Sequence, residues 1–196
     1  MESLKPTSRR HGVLLYFSAC PAKEGKQMTE AAKQEKKKVY VETTVVSDAT
    51  ALPTNDLAVA GRQITTRTWW ATAATRFSLY SSDVVKREAM RGDSDAARRR
   101  MEALATLSEL ATTDEALRLA DALIRRKAVP KEFPDDALHI ALAAVCGMDF
   151  LVSWNFKHIT NAQTIPLIKR VCTEEGFVCP EICTPYQLQE VGGQES

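Results

Sequence analysis

The chain has 196 residues, 44% of them hydrophobic and 26% charged, a balance that excludes a collagen-like or wholly low-complexity chain and allows one domain with its own core plus a tail. The formal net charge of +1 is unevenly placed: residues 1–38 hold nine Lys/Arg against four Glu, a net +5, and the remainder holds 17 basic and 21 acidic residues, a net −4. A nucleic-acid binder coated with positive charge on one face is therefore not expected of the folded part, and any such contact has to be local.

Five cysteines (Cys20, Cys146, Cys172, Cys179 and Cys183) form no CxxC pair, and Cys179-x-x-x-Cys183 lacks the further ligands a zinc site needs. Reduced thiols in a cytosolic protein are the expectation. Residues 1–37 read as an N-terminal extension without stable structure. The apolar run at 13–17 is too short for the roughly 20 residues of a membrane span, and the polar stretch ends in Lys36-Lys37-Lys38. Met28 is an alternative start of translation, since it opens a short polar lead into the first strand. Residues 38–190 form the expected folded domain.

Within that domain, Lys38 to Glu42 alternates β-branched and aromatic residues, the pattern of a short buried strand. Thr43 to Asp48 opens a short helix. Pro53-Thr-Asn-Asp56 is a start signal for a helix reaching Arg76, with Leu57, Ala60, Ile64, Trp69 and Ala73 expected on its inner face. Of Trp69 and Trp70, one is expected in the core and the other at an interface. Phe77 to Tyr80 is a second strand, and Ser81-Ser82-Asp83 caps a helix carrying Val84, Val85 and Glu88. Asp93 to Leu107 is a further helix. Thr112-x-x-Glu115 has the form of a capping box, opening a helix with Leu117, Ala120 and Ile124 on one face. Asp135 to Val145 is a helix closed by Gly147, Phe150 to Ser153 a buried strand, and Ala162 to Glu175 a helix ended by Gly176. Ile182 to Thr184 is a last strand, and Pro185 starts a terminal helical turn. Strands separated by helices predict an α/β fold, a three-layer α/β/α sandwich around a mainly parallel sheet.

Open parallel sheets gather ligands beyond the carboxyl ends of their strands. Glu42 closes the first strand, Glu88 follows the second, Asp136 begins a helix, and Asn155 follows the late strand by two residues. Carboxylates brought together repel one another and favour protonation. A hard divalent cation such as Mg²⁺ or Mn²⁺ removes that cost, and it stabilises charge building on a phosphodiester. The plainer account makes each acid a helix cap or a solvated side chain. His139, three residues after Asp136, is either a hydrogen-bonded structural histidine or a contact to metal or substrate; His158 either fixes its turn or assists proton transfer. The hydroxyls of Thr43 and Ser153 orient a carboxylate or serve as local caps. Asp135 competes with Asp136, and the Arg98-Arg99-Arg100 run with Arg91 meets phosphate or lies on a solvated face.

The order of these segments carries a resemblance. Val39-Tyr-Val-Glu-Thr-Thr-Val-Val-Ser47, Ser82-Asp-Val-Val-Lys-Arg-Glu88, Asp136-Ala-Leu-His-Ile-Ala141 and Leu151-Val-Ser-Trp-Asn-Phe-Lys-His158 together resemble the PIN-domain family, in particular the VapC-like toxins of type II toxin–antitoxin pairs, over residues 38 to 188. The resemblance implies a metal-dependent endoribonuclease in the cytoplasm, acting on RNA, forming a homodimer and held by a small antitoxin protein. It implies a Mg²⁺ or Mn²⁺ site on Glu42, Glu88 and Asp136, with Asn155 assisting in catalysis. Two positions depart from the family pattern: Glu42 stands where Asp is usual, and Asn155 where a further Asp is common.

Overall fold

A computed structural model describes residues 35–190. The expectations about the first 34 residues, including the apolar run and the Met28 start, lie outside them. Lys36 and Lys37 are already tied to the domain: the Lys36 ammonium donates to the Ala74 carbonyl, and Lys37 pairs with Asp149 at 2.8 Å.

Strand β1 (Lys38–Val41) leads into α1 (Thr43–Thr50) and α2 (Leu57–Arg76). Strand β2 (Ser78–Ser82) is followed by α3 (Asp83–Ala89) and α4 (Ser94–Leu104), and β3 (Ser108–Leu110) by α5 (Asp114–Arg125) and α6 (Pro134–Val145). Strand β4 (Phe150–Val152), α7 (Ile165–Glu174), β5 (Glu181–Cys183) and α8 (Pro185–Glu190) complete the domain. The five strands form one sheet in the order β3-β2-β1-β4-β5, with every pairing parallel. Parallel neighbours require a crossover, and helices supply each one. Helix α1 packs on α2, α3 and α4, and α5 packs on α6 and α7. The result is the expected three-layer α/β/α sandwich, with a sheet that is wholly rather than mainly parallel.

Covering both faces of the sheet explains why β1 reads as a continuous apolar run: Val39, Tyr40 and Val41 are all fully buried. The helix starts follow the capping rules. Asp56 accepts from the Ala58 and Val59 amides, Ser82 from Val85, and Asp93 from Ala96. Gly147 and Gly176 end α6 and α7 with φ of 63° and 88°, backbone that a side chain would strain. Among the described residues, no helix is long and apolar enough to cross a membrane.

Several details differ from the sequence reading. Leu57 and Ile64 are 88% and 64% exposed, and α2 turns Gln63, Thr66, Trp69 and Ala73 inward. The step from Ile64 to Trp69 spans five residues and breaks the helical period, so the stripe through Trp69 and Ala73 runs back to Thr66 instead. Leu117 is half exposed, and the inner face of α5 is Ala116, Leu119, Ala120 and Leu123. Thr113, not Thr112, caps α5 through the Ala116 amide, while the Thr112 hydroxyl donates to Asp83. The helix expected over 93–107 stops at Leu104, and the short edge strand β3 follows it, a strand with two of its three residues exposed and no apolar alternation to reveal it. Trp69 is fully buried and Trp70 partly buried beside it, their rings edge to face at 6.2 Å.

Candidate functional site

The chain winds outward from β1 through β2 to β3, then returns across the sheet to β4 and β5. The reversal leaves a crevice at the carboxyl ends of β1 and β4, the switch point where doubly wound folds bind ligands. Glu42 is the first residue past β1. The register pairs Val41 with Val152, which sets Ser153 beside Glu42. Glu42 is 3% exposed. Its Oε2 accepts from the Thr44 amide at 3.1 Å, the Thr44 hydroxyl at 2.5 Å and the Ser153 hydroxyl at 2.8 Å. Glu42 is therefore also the N-cap of α1. Burial pushes its carboxyl above the ordinary value, against the opposing pull of the His139 charge and of these donors.

Glu88 reaches the crevice from α3. The Thr43 hydroxyl donates to its Oε2, which lies 3.0 Å from Nε2 of the fully buried His139. The other ring nitrogen of His139, Nδ1, is 2.8 Å from the Tyr40 hydroxyl, itself 2.7 Å from the Ser82 hydroxyl that caps α3. A protonated imidazole donates from both nitrogens, to Glu88 and Tyr40, and Tyr40 then donates to Ser82. The chain of bonds ties β1, α3 and α6 to one carboxylate. Burial raises the Glu88 carboxyl, but the His139 bond and charge with the Thr43 hydroxyl outweigh it and hold it below the ordinary value. For His139 burial lowers the imidazole; the Glu88 bond and the charges of Glu42, Glu88 and Asp136 win, so it titrates above the ordinary value. Burial sends the Tyr40 phenol well up, so it stays protonated.

Asp136 sits in the first turn of α6, where the helix dipole favours a carboxylate. Burial raises its carboxyl, Asn155 bonds it and lowers it in return, and the neighbouring Glu88 charge raises it further. Asn155 is in turn held by its own turn, its Oδ1 accepting from the His158 amide at 3.1 Å. The His158 ring stacks on Phe133, centroids 4.1 Å apart, at the N-cap of α6. This clip joins the loop after β4 to the start of α6. An Asp at position 155 would set a second negative charge against Asp136; the amide supplies a donor instead, which gives Asn155 a local reason. Asp135 points elsewhere, pairing with Arg87 at 2.9 Å and Arg91 at 3.7 Å.

Glu42, Glu88 and His139 offer ligand atoms that all lie within 4.8 Å of one another. Two of the three sequence-derived metal ligands thus converge; Asp136 is outside that tight group, beside Glu88 and bonded to Asn155. Both nitrogens of His139 face hydrogen-bonding partners, so its role in this geometry is to hold Glu88. The donor set, the buried Glu42 carboxylate and the partly exposed Glu88 carboxylate with a third beside them and hydroxyls around, fits a hard oxygen-seeking cation. The arginine run is spoken for: Arg98 pairs with Glu102, and Arg99 and Arg100 donate to the carbonyls of Thr50, Ala89 and Arg91. Tyr40 and Thr44 carry no site role in the sequence, and Ser82 reads there only as a helix cap. A tyrosine inside a strand covered on both faces was the available signal, because a buried phenol needs a partner. No protein-family model matches the chain, and no curated protein matches it.

The shifts of Glu88 and His139 predict a pH profile for stability without added metal. A depressed carboxylate contributes above its unfolded pKa, and a raised imidazole contributes below its unfolded pKa. The pair therefore adds most between the ordinary values of 4.5 and 6.5, losing its effect as acid protonates Glu88 and as base deprotonates His139. Thermal melts from pH 5 to 9 are expected to show a decline on the alkaline side that His139→Asn flattens. An equal decline in that variant would contradict the role assigned to His139.

Proposed function

We propose that this protein is a Mg²⁺- or Mn²⁺-dependent endoribonuclease of the PIN type, acting as the toxin of a toxin–antitoxin pair. The convergence of Glu42 and Glu88 beyond the carboxyl ends of adjacent strands is the observation that carries the reading. The bonds to Glu42 all fall on Oε2, leaving Oε1 as its oxygen for a cation. Thr43 and His139 orient Glu88, and Asp136, steadied by Asn155, completes the acidic edge. The cation would supply charge neutralisation for the phosphodiester and a nucleophile at neutral pH. The chain's own task is to hold these oxygens at fixed separation and to keep Glu42 and Asp136 ionised, which cation binding favours by reversing the upward pull of burial. The resemblance to VapC-like toxins supports RNA as substrate, a small antitoxin as partner, a homodimer as the working form and the cytoplasm as the location.

A second reading, a PIN-type domain that binds RNA or protein without cutting, draws on the amide of Asn155, which leaves three carboxylates rather than four. Incubation of a labelled single-stranded RNA with Mn²⁺, with EDTA, and with Asp136→Asn in Mn²⁺ separates the two. Cleavage confined to wild type in Mn²⁺ is expected. Cleavage that survives Asp136→Asn would reject the assigned site, and binding without cutting in both proteins would favour the second reading.

A further inference from the structure

Next to the carboxylates lies a feature that metal binding does not use. A groove of about 720 Å³ runs between α2 and the segments after β4 and β5, and Leu57, Arg62, Trp154, Phe156, Tyr186 and Gln187 are among its lining residues. A smaller cavity of about 270 Å³ shares Arg62 and Trp154 with it and is bounded at its other end by Thr43 and Thr44. Those two threonines are the residues whose hydroxyls hold Glu88 and Glu42. The two cavities thus adjoin at Arg62 and Trp154, a cleft with the threonines that hold the acidic cluster towards one end and Phe156 towards the other.

We propose that this cleft is the subsite for an unpaired nucleotide of the RNA, with its base on Phe156 and Trp154 and its backbone beside Arg62; the proposal rests on the ribonuclease reading of the adjoining cluster. Three observations favour a nucleotide over a purely apolar occupant. Phe156 is 52% exposed, and its ring centroid lies 5.9 Å from that of Trp154. Trp154 is fixed at both ends, its backbone amide donating to Thr44 and its indole N–H to Thr66, so one wall is preset and not recruited. Arg62 stands where the two cavities meet, its Nε held by Asp48 at 3.1 Å, and exposed Lys157 follows Phe156. Positive groups beside an aromatic surface are how proteins take single strands, stacking bases and tracking the phosphates. In a duplex the bases are already stacked on one another and cannot reach such a surface.

The test uses the full chain as Asp136→Asn, to suppress cutting, and a fluorescein-labelled ten-nucleotide single-stranded RNA read by anisotropy in Mn²⁺. Adding Phe156→Ala is expected to weaken RNA binding roughly tenfold or more, the loss of stacking for one base, and Phe156→Tyr to restore it. The affinity for Mn²⁺ alone, read by calorimetry in the chain with native Asp136, is expected to be unchanged by Phe156→Ala. A blunt duplex of the same sequence is expected to bind more weakly and to ignore the substitution. RNA affinity indifferent to Phe156→Ala in a protein that melts like its parent would overturn the subsite, and so would no RNA binding at all. If Phe156→Ala weakens RNA binding while wild type never cuts, the ribonuclease reading falls and the subsite stands. If cutting persists with RNA affinity unmoved, the reverse holds.

Discussion

Glu88→Gln is expected to weaken Mn²⁺ binding by roughly a hundredfold and to take metal-dependent RNA cleavage down with it. Loss of even an outer partner of a metal ligand costs about 10- to 100-fold in affinity, and this substitution removes the charge of a proposed ligand itself. The shape of the site survives, because the amide oxygen of Gln still accepts from Thr43 and His139 at the places now held by Glu88 Oε2. The effect is therefore specific to charge. Calorimetric titration and initial cleavage rates on the same preparations measure it, and unchanged Mn²⁺ affinity would show that Glu88 serves the fold and not a cation.

The largest effect on stability is expected from Trp69→Ala, about 3–5 kcal/mol by comparison with other large aromatic truncations in cores. Against the roughly 5–15 kcal/mol that holds a domain together, this is a large share of the total. Trp69 has no exposure at all and stands on the inner face of α2 with Ala73 and Thr66, so the cavity opens where the helix meets the sheet. Its indole N–H is buried without a partner. Trp69→Phe removes that orphaned donor and keeps a six-membered ring in place, so it leaves a smaller cavity and is expected to cost clearly less than Trp69→Ala. Urea unfolding of the three proteins tests this: equal losses in both variants would mean that the packing account of this position is wrong.

These two residues also mark what could be read from the sequence and what could not. The order of β1, β2, β4 and β5 and of the helices between them was legible, because β1 and β4 are short apolar runs and the elements are set off by helix caps such as Ser82 and stops such as Gly147 and Gly176. Strand β3 was not, since Ser108 and Glu109 are exposed at the sheet edge and carry no signal of burial. The inner face of α2 was misread because Leu57 and Ile64 look like core residues; Leu57 instead lines the open groove, where an apolar side chain faces a cleft and not the sheet. Glu42 and Glu88 were legible as candidates because strand ends at a parallel sheet gather ligands. Their meeting depends on strand order, which puts β1 between β2 and β4 and which no local pattern states. The network through Tyr40, His139 and Ser82 joins residues 40, 82 and 139, a contact that only the folded chain makes. Asn155 stands out in sequence only against a resemblance, and gains a local reason from the neighbouring Asp136.

The most direct test is a crystal of the protein soaked in Mn²⁺ and measured for anomalous scattering. One strong peak within coordination distance of both Glu42 and Glu88, with Asp136 at its margin, is the predicted result. A crystal that takes up Mn²⁺ only elsewhere, with His139 still bonded to Glu88 and the crevice empty, would contradict it.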